Sequence, residues 1–444
     1  MYHISSFRIE GFWGSKIVEC DLKPHINIFI GRNGSGKTTL MNLLSSVLQV
    51  DFRALADHDF TSIEVRLADG THKRKLRVEK ILSQQKGYDT IKYRVGSRRF
   101  DLELSPRNLE ARRYVSHSLS ALNQFHQRCL EVRTAMAQLV KVSSVTVHRQ
   151  AFRKDEDDED ARSRLAGAKP PIDRRLDQIT DKLTRYQLQL AERASVVSTE
   201  FQHKILLSVL YMKDFDRFDV KSAQQAAVSE ALLTTAYQQL NYFDDSVRKR
   251  IKEHVKVLSR CISDLKELDK QDKVSIDTIM PLPLIKRTQQ IVDLSLDAQS
   301  KKNDIFKNLN LFFSILHEFI DDKKIGLSSE GLLNVVLKPQ GKSAEELAAA
   351  DPATIEIGDL SSGEKQLMVL LAETLLQEEV PFIFLADEPE LSLHIRWQEQ
   401  ILDAIHRLNP SAQIIVATHA PEITSQHGDA IIDMEKIFQG KMTS

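Results

Sequence analysis

The sequence predicts an α/β fold: a mixed sheet with an antiparallel β subdomain, interrupted by a long helical insertion. Three observations predict it. The apolar run Ile26-Asn27-Ile28-Phe29-Ile30 feeds a glycine-rich loop, which leads into an apolar helix. A second apolar run, 381–386, ends in two carboxylates, Asp387 and Glu388, near the far end of the 444 residues. Between them, residues 173–322 carry helical rather than strand periodicity. The two ends must meet, so the chain between them leaves the core and returns.

Each element has its own signal. Residues 4–9, 17–22 and 26–30 read as strands, and 39–50 as a helix. Segments 62–67 and 75–81 flank Asp69-Gly70, a hairpin signal, and 91–95 extends that sheet. In 108–141, Leu119, Leu122, Phe125, Cys129, Val132, Met136 and Leu139 recur at helical spacing. The β-branched run 142–147 reads as a strand returning to the core. Residues 154–160 are an acidic block, read as a solvated loop, since no EF-hand spacing accompanies them. Leu176, Ile179, Leu183, Tyr186 and Leu190 alternate steps of three and four, a short coiled-coil seam. A second long helix is expected over roughly 221–267 and a third over about 284–321. Residues 332–337 read as a strand and 339–354 as a loop.

Composition narrows the classes. Lys and Arg number 61 against 62 Asp and Glu, a formal charge of −1, which argues against coating nucleic acid by bulk charge. Cys20, Cys129 and Cys261 stand far apart and form no C-x-x-C pair, so neither a disulfide framework nor a zinc site is written. No leader pattern opens the chain, and no apolar run approaches the roughly 20 residues a bilayer requires. We expect a cytoplasmic protein with no membrane partner.

The chemistry lies in four segments. Gly31-Arg32-Asn33-Gly34-Ser35-Gly36-Lys37-Thr38, followed by Thr39, matches G-x-x-x-x-G-K-[ST] in the strand-to-helix context that motif requires. Its backbone N–H groups turn inward to phosphate, and the helix N-terminus adds a favourable field. Lys37 is expected at the β- and γ-phosphates of ATP, and Thr38 on Mg²⁺. Asp387 is the second expected Mg²⁺ ligand, and Glu388 the general base for the attacking water. Alone, Asp-Glu at a strand end fits a capping role equally well. Leu360-Ser361-Ser362-Gly363-Glu364 opens a helix and forms a second anion site through Ser361, Ser362, Gly363 and Glu364. Alone, it fits a capping box. His419 follows an apolar strand at 414–417.

Taken in order, these motifs resemble the ABC ATPase heads of the SMC, Rad50 and RecF class. The resemblance implies lobe I at 1–150, an acidic loop and helical insertion at 151–322, and lobe II at 323–444. It implies that the signature of one subunit closes the nucleotide site of another in a head-to-tail dimer. It makes 390–394 the D-loop and His419 the switch histidine, catalytic with Glu388 and Lys37. The Q-loop glutamine is open among Gln84, Gln85, Gln124 and Gln127. His148-Arg149 resembles a basic pair found there in related bacterial ATPases, or is a solvent-exposed pair. Lys73, Arg74, Lys75, Arg77, Arg98 and Arg99 form a basic cluster on hairpins, read as an ordinary solvated face, with contact to a phosphate backbone as the alternative.

Absent features narrow the resemblance. Without long arms or a C-x-x-C hook, a full SMC or Rad50 protein is disfavoured. The sequence ends soon after His419, so we expect no C-terminal TOPRIM nuclease. An insertion inside the head is unlike a transporter nucleotide-binding domain. The chain looks most like ATPase subunits of two-gene bacterial anti-phage systems, the PARIS type (AriA-like) first and the Septu type (PtuA-like) second. That resemblance implies a homo-oligomer holding a separate effector nuclease, of TOPRIM (AriB-like) or HNH (PtuB-like) type, until a phage trigger protein releases it. The alternative is a RecF- or Rad50-like repair ATPase that clamps DNA. In the first reading DNA is not required.

Overall fold

The computed structural model describes residues 2–81, 88–104, 119–146, 170–210, 228–240, 243–267, 280–328, 331–338 and 354–441. They form two compact units, Met1–Thr184 with Leu311–Ser444, and Arg185–Asn310.

The first unit begins with a hairpin, β1 (His3–Phe12) and β2 (Lys16–Asp21). β3 (Ile26–Ile30) then crosses to a different sheet and leads into α1 (Lys37–Gln49) and α2 (Phe52–Asp57). A meander follows: β4 (Ser62–Asp69), β5 (His72–Ile81), β6 (Thr90–Val95) and β7 (Arg98–Glu103). Gly70 and Gly96 sit at positive φ in the two-residue turns of β4–β5 and β6–β7, where the strand twist demands it. α3 (Leu119–Ala137) packs on this sheet through Cys129, Val132 and Met136, and β8 (Val142–Thr146) follows.

The chain then enters the helical segment through α4 (Pro171–Ser208) and passes along α5 (Glu230–Gln239), α6 (Asp245–Glu267) and α7 (Leu282–Phe319). It re-emerges as β9 (Lys323–Leu327), β10 (Leu333–Leu337) and β11 (Thr354–Ile355), a three-stranded sheet. The last stretch alternates α8 (Ser362–Leu375), β12 (Ile383–Asp387), α9 (Ile395–Leu408), β13 (Gln413–Ala417), α10 (Pro421–Thr424), β14 (Ile431–Asp433) and β15 (Phe438–Lys441).

Two sheets enclose the core. The antiparallel sheet runs β15-β2-β1-β4-β5-β6-β7, and the parallel sheet β14-β3-β13-β12-β8. Leu40, Leu43, Leu44 and Val47 of α1 share one core with Phe7 and Ile63 of the first sheet and Leu385 and Ile415 of the second. Buried Gln413 ties the sheets together. Its Oε1 accepts from Ile4 N at 2.7 Å, and its Nε2 donates to Ile4 O at 2.7 Å.

The helix after the signature, α8, is buried along 363–375, including Lys365 and Glu373. Buried charges must be paired. Lys365 Nζ lies 2.6 Å from Asp173, Arg175 pairs with Glu373, and Ser143 of β8 donates to Glu373 at 3.3 Å. The first turns of α4 are thereby fastened to α8.

In the second unit, Leu258, Ile262, Leu265, Leu282 and Ile285 form one cluster, and Leu233, Val247 and Ile251 another. The single helix expected over 221–267 is two helices here. Asp244 accepts from the Val247 N–H at 2.8 Å and so caps α6, starting a new helix where periodicity alone suggested continuation. Leu176, Ile179, Leu183, Tyr186 and Leu190 of the expected seam are all buried. The acidic block 154–160 and His148-Arg149 lie outside the described residues, as does 339–353 of the expected loop. Thr354, its last residue, is strand.

Candidate functional site

The site forms where the parallel strands end. β3 delivers the glycine loop, β12 delivers Asp387 and Glu388, and β13 delivers Thr418 and His419. β13 pairs with both β3 and β12, so these three carboxyl ends are adjacent. Ligands bind at such strand ends in open α/β sheets.

The loop has the backbone a phosphate cradle requires. Gly34 and Gly36 have φ of 79° and 96°. A Cβ on Gly36 would lie 2.9 Å from the Trp13 ring. Gly36 is the N-cap of α1 and offers no side-chain cap, so the first N–H groups of the helix stay available. Arg32, Asn33 and Gly34 are exposed, whereas Gly31, Ser35, Thr38 and Thr39 are half-buried. Ser35 Oγ is buried without a hydrogen-bond partner among the described residues. Lys37 Nζ donates to the Gly31 carbonyl at 2.8 Å and lies 3.5 Å from His419 Nδ1. Burial lowers the Lys37 pKa, opposed by the charges of Glu388, Asp387 and Glu390.

Burial raises the pKa of the Asp387 carboxylate, opposed by the Thr38 side chain beside it. Asp387 Oδ1 is buried with no hydrogen-bond partner among the described residues. A hydroxyl beside a carboxylate with an idle oxygen fits Mg²⁺, which takes one or two protein oxygens and completes its shell with phosphate and water. Among the described residues no cluster of three or more His, Cys, Asp or Glu side chains forms a protein-only cage. Bound there, magnesium would neutralise phosphate charge.

Glu388 has φ 50°, a left-handed conformation strained for a non-glycine residue. Its N–H is pinned to the Ala417 carbonyl at 2.8 Å. The half-exposed carboxylate stands 3.8 Å from His419 Nε2. Lys37, Thr38, Asp387, Glu388 and His419 thus converge in one chain.

The signature residues lie elsewhere. Ser361 and Ser362 are exposed at the N-terminus of α8. Ser361 caps the helix, accepting from Glu364 N, while Glu364 accepts from Ser361 N at 2.8 Å. The other oxygen of Glu364 meets Lys323 at 2.6 Å. Both Glu364 oxygens are therefore engaged within the chain. Gly363 is needed for packing: a Cβ there would fall 2.4 Å from the Ser392 carbonyl. Among the described residues no hydrogen bond or ion pair joins 361–364 to the glycine loop.

Sequence reasoning missed Trp13. It sits at positive φ in the β1–β2 turn, 42% exposed, against Gly36 and stacked on Phe438 of β15. An exposed tryptophan in a tight turn before the loop was the available signal. Of the open glutamines, Gln84 and Gln85 lie outside the described residues, as does the Gln124 side chain, and Gln127 is exposed on α3. The register pairs Thr146 with Asp387, so the chain leaves β8 beside the carboxylates. Gln150 follows four residues on, outside the described residues.

Several known proteins are similar. Over 140 residues the chain is 26% identical to the Retron Ec83 probable ATPase of Escherichia coli, covering 29% of this chain and 26% of that protein. Over 154 residues it is 30% identical to the phosphonates import ATP-binding protein PhnC of Shouchella clausii, covering 31% and 56%. The chain thus spans about a quarter to just over half the length of these relatives. The Smc head domain of Pyrococcus furiosus, with an extended coiled coil and bound to the C-terminal domain of ScpA, aligns over 98% of this chain and 93% of that one. Identity there is 15% and the TM-score 0.41. That of Pyrococcus yayanosii aligns over 98% and 95%, at 16% identity and a TM-score of 0.38. No helix among the described residues is long and apolar enough to cross a membrane. The family model described as AAA ATPase domain matches residues 1–424, and with that match the chain belongs to the AAA ATPase family, whose substrate and cation, ATP and Mg²⁺, suit the site just described.

Proposed function

We propose that this protein hydrolyses ATP slowly at composite sites formed by two copies arranged head to tail, and that it serves as the sensor and scaffold of a cytoplasmic anti-phage complex. One observation carries the composite site: the hydrolytic half is gathered around Lys37 and Glu388, while Ser361 and Ser362 stand exposed on a separate helix end. An exposed helix N-terminus is suited to the terminal phosphate of a nucleotide held by another copy. In this reading Ser361, Ser362 and Gly363 act in trans and the 390–394 turn lies at the dimer interface.

The defence role draws support from the similarity to a retron ATPase over 29% of this chain. The partner is a separate nuclease, TOPRIM-type in a PARIS-like system or HNH-type in a Septu-like one, released by a phage protein. Affinity purification from the native host, with and without nuclease treatment, tests this. A near-stoichiometric nuclease that survives treatment supports the proposal. Recovery of repair proteins only through DNA overturns it.

One observation favours the repair reading instead. Arg77, Arg94 and Arg99 face one another across β5, β6 and β7 and line a groove of about 450 Å³ with Lys92 and Arg128. Glu79 pairs with Arg77 at 2.6 Å and Asp101 and Glu131 also line the groove, which leaves Arg94 opposite Arg99 as the like-charged pair an anion there would relieve. DNA-stimulated turnover that falls steeply with salt is the expected signature of that reading.

A further inference from the structure

Glu390 is 6% exposed, in the turn after β12. Its Oε1 accepts from the Thr418 hydroxyl at 2.5 Å and from the His419 N–H at 3.1 Å. Its Oε2 is buried with no hydrogen-bond partner among the described residues. A half-satisfied buried carboxylate is costly. Thr418 is held from a second side, its N–H donating to the Phe29 carbonyl at 3.1 Å, in the strand that enters the glycine loop. The His419 ring hangs from this anchored backbone, between Lys37 Nζ at 3.5 Å and Glu388 Oε1 at 3.8 Å.

The other end of the turn presses on the signature helix. Ser392, at φ 70°, points its carbonyl where any side chain on Gly363 would sit. Leu393 N–H bonds back to the Glu390 carbonyl at 2.9 Å, so the turn moves as one piece. A displacement at the signature end therefore reaches the 418–419 backbone through one carboxylate oxygen.

We propose that Glu390 is a positioning residue for ATP hydrolysis: it fixes the 418–419 backbone, and through it the His419 ring, and couples that ring to the signature helix. This rests on the hydrolytic reading of the site. Among the described residues no hydrogen bond or ion pair joins the Glu390 side chain to Lys37 or Glu388; its charge does act on Lys37, and Glu390→Gln, which removes that charge but keeps an acceptor, separates this effect from the one that runs through His419.

The test is a kinetic cycle on the full chain with Glu390→Ala, Glu390→Gln, His419→Ala and the Glu390→Ala/His419→Ala pair. Binding of a fluorescent ATP analogue is measured alongside. Glu390→Ala is expected to lower kcat about 10²-fold, the scale of a small misplacement, with analogue affinity unchanged. Glu390→Gln, which keeps an acceptor oxygen, should recover most of that loss. In the His419→Ala background, Glu390→Ala should add nothing, because contacting residues acting as one unit are not additive. Additive losses, or equal loss of binding and turnover, would overturn the proposal. If Glu390→Ala does not fold, Thr418→Val, similar in shape and lacking the hydroxyl donor, takes its place in the same cycle. Wild-type turnover no higher than that of Lys37→Ala would remove the hydrolytic reading itself, whereas additive losses in an active enzyme remove only the role of Glu390.

Discussion

The Lys37 ammonium and the His419 imidazole lie 3.5 Å apart, although 382 residues separate them in the chain. Lys37 Nζ rests on the Gly31 carbonyl, with Asp387 and Glu388 near enough to act on its charge. In the proposed site this is the charge that would hold phosphate. Lys37→Ala is expected to abolish ATP binding, read by titration with a fluorescent analogue. Retained affinity would remove the loop from the site.

Glu388 is held near His419 and strained into a left-handed conformation. Glu388→Gln should bind ATP normally and slow hydrolysis by about 10²–10⁴-fold, the usual worth of a general base. Light scattering should then show ATP-dependent dimers that the wild type forms only transiently. Unchanged turnover would sink the assignment.

Ser361 is exposed, and among the described residues no hydrogen bond or ion pair joins it to the glycine loop of its own chain. Ser361→Arg should bind ATP yet fail to hydrolyse it. Mixed with Lys37→Ala, it should regain part of the wild-type turnover, because one composite site in each mixed dimer is intact. No recovery on mixing would mean that the signature acts in cis or not at all.

Burial raises the pKa of Asp387 above its ordinary value of 3.8. The folded chain therefore binds a proton at a pH where the unfolded chain has released it. Stability from this group is greatest at low pH and declines as pH rises through the folded value. Above that value the ionised carboxylate is a standing penalty. Nucleotide-free Asp387→Asn should melt about 1–3 °C above wild type at neutral pH. The gap should narrow as pH falls toward 3.8, and turnover should be lost. Melting curves at several pH values read the difference.

Trp13 presents a partly exposed ring beside Gly36, with Lys16 Nζ 4.9 Å from its centre. Trp13→Ala should weaken ATP binding about 3- to 10-fold, the worth of one aromatic contact, while Trp13→Phe retains it. Equal affinity in both variants would place the ring outside the site.

Much of this was legible in the residues. The apolar runs ending at Ile30, Asp387 and Ala417 are strands, since a fully buried parallel strand needs apolar side chains on both faces. The turn at Gly70 was legible from Asp-Gly. β7 was hidden by its brevity: only Phe100 and Leu102 alternate with Arg99, Asp101 and Glu103, and its place comes from pairing with β6. β15 was equally hidden, a four-residue strand that exists by pairing with β2. The break between α5 and α6 depended on which aspartate became a cap.

The sequence by itself determined the chemistry: which side chains can hold phosphate, magnesium and a water proton, because those capacities belong to residue types and to the glycine loop's local backbone. Only the tertiary structure decided their relations. That Glu390 grips Thr418, that Glu364 is occupied by Lys323, and that Trp13 covers Gly36 are contacts between segments far apart in the chain. Such contacts are set by strand order and the packing of one core, neither of which has a local signature.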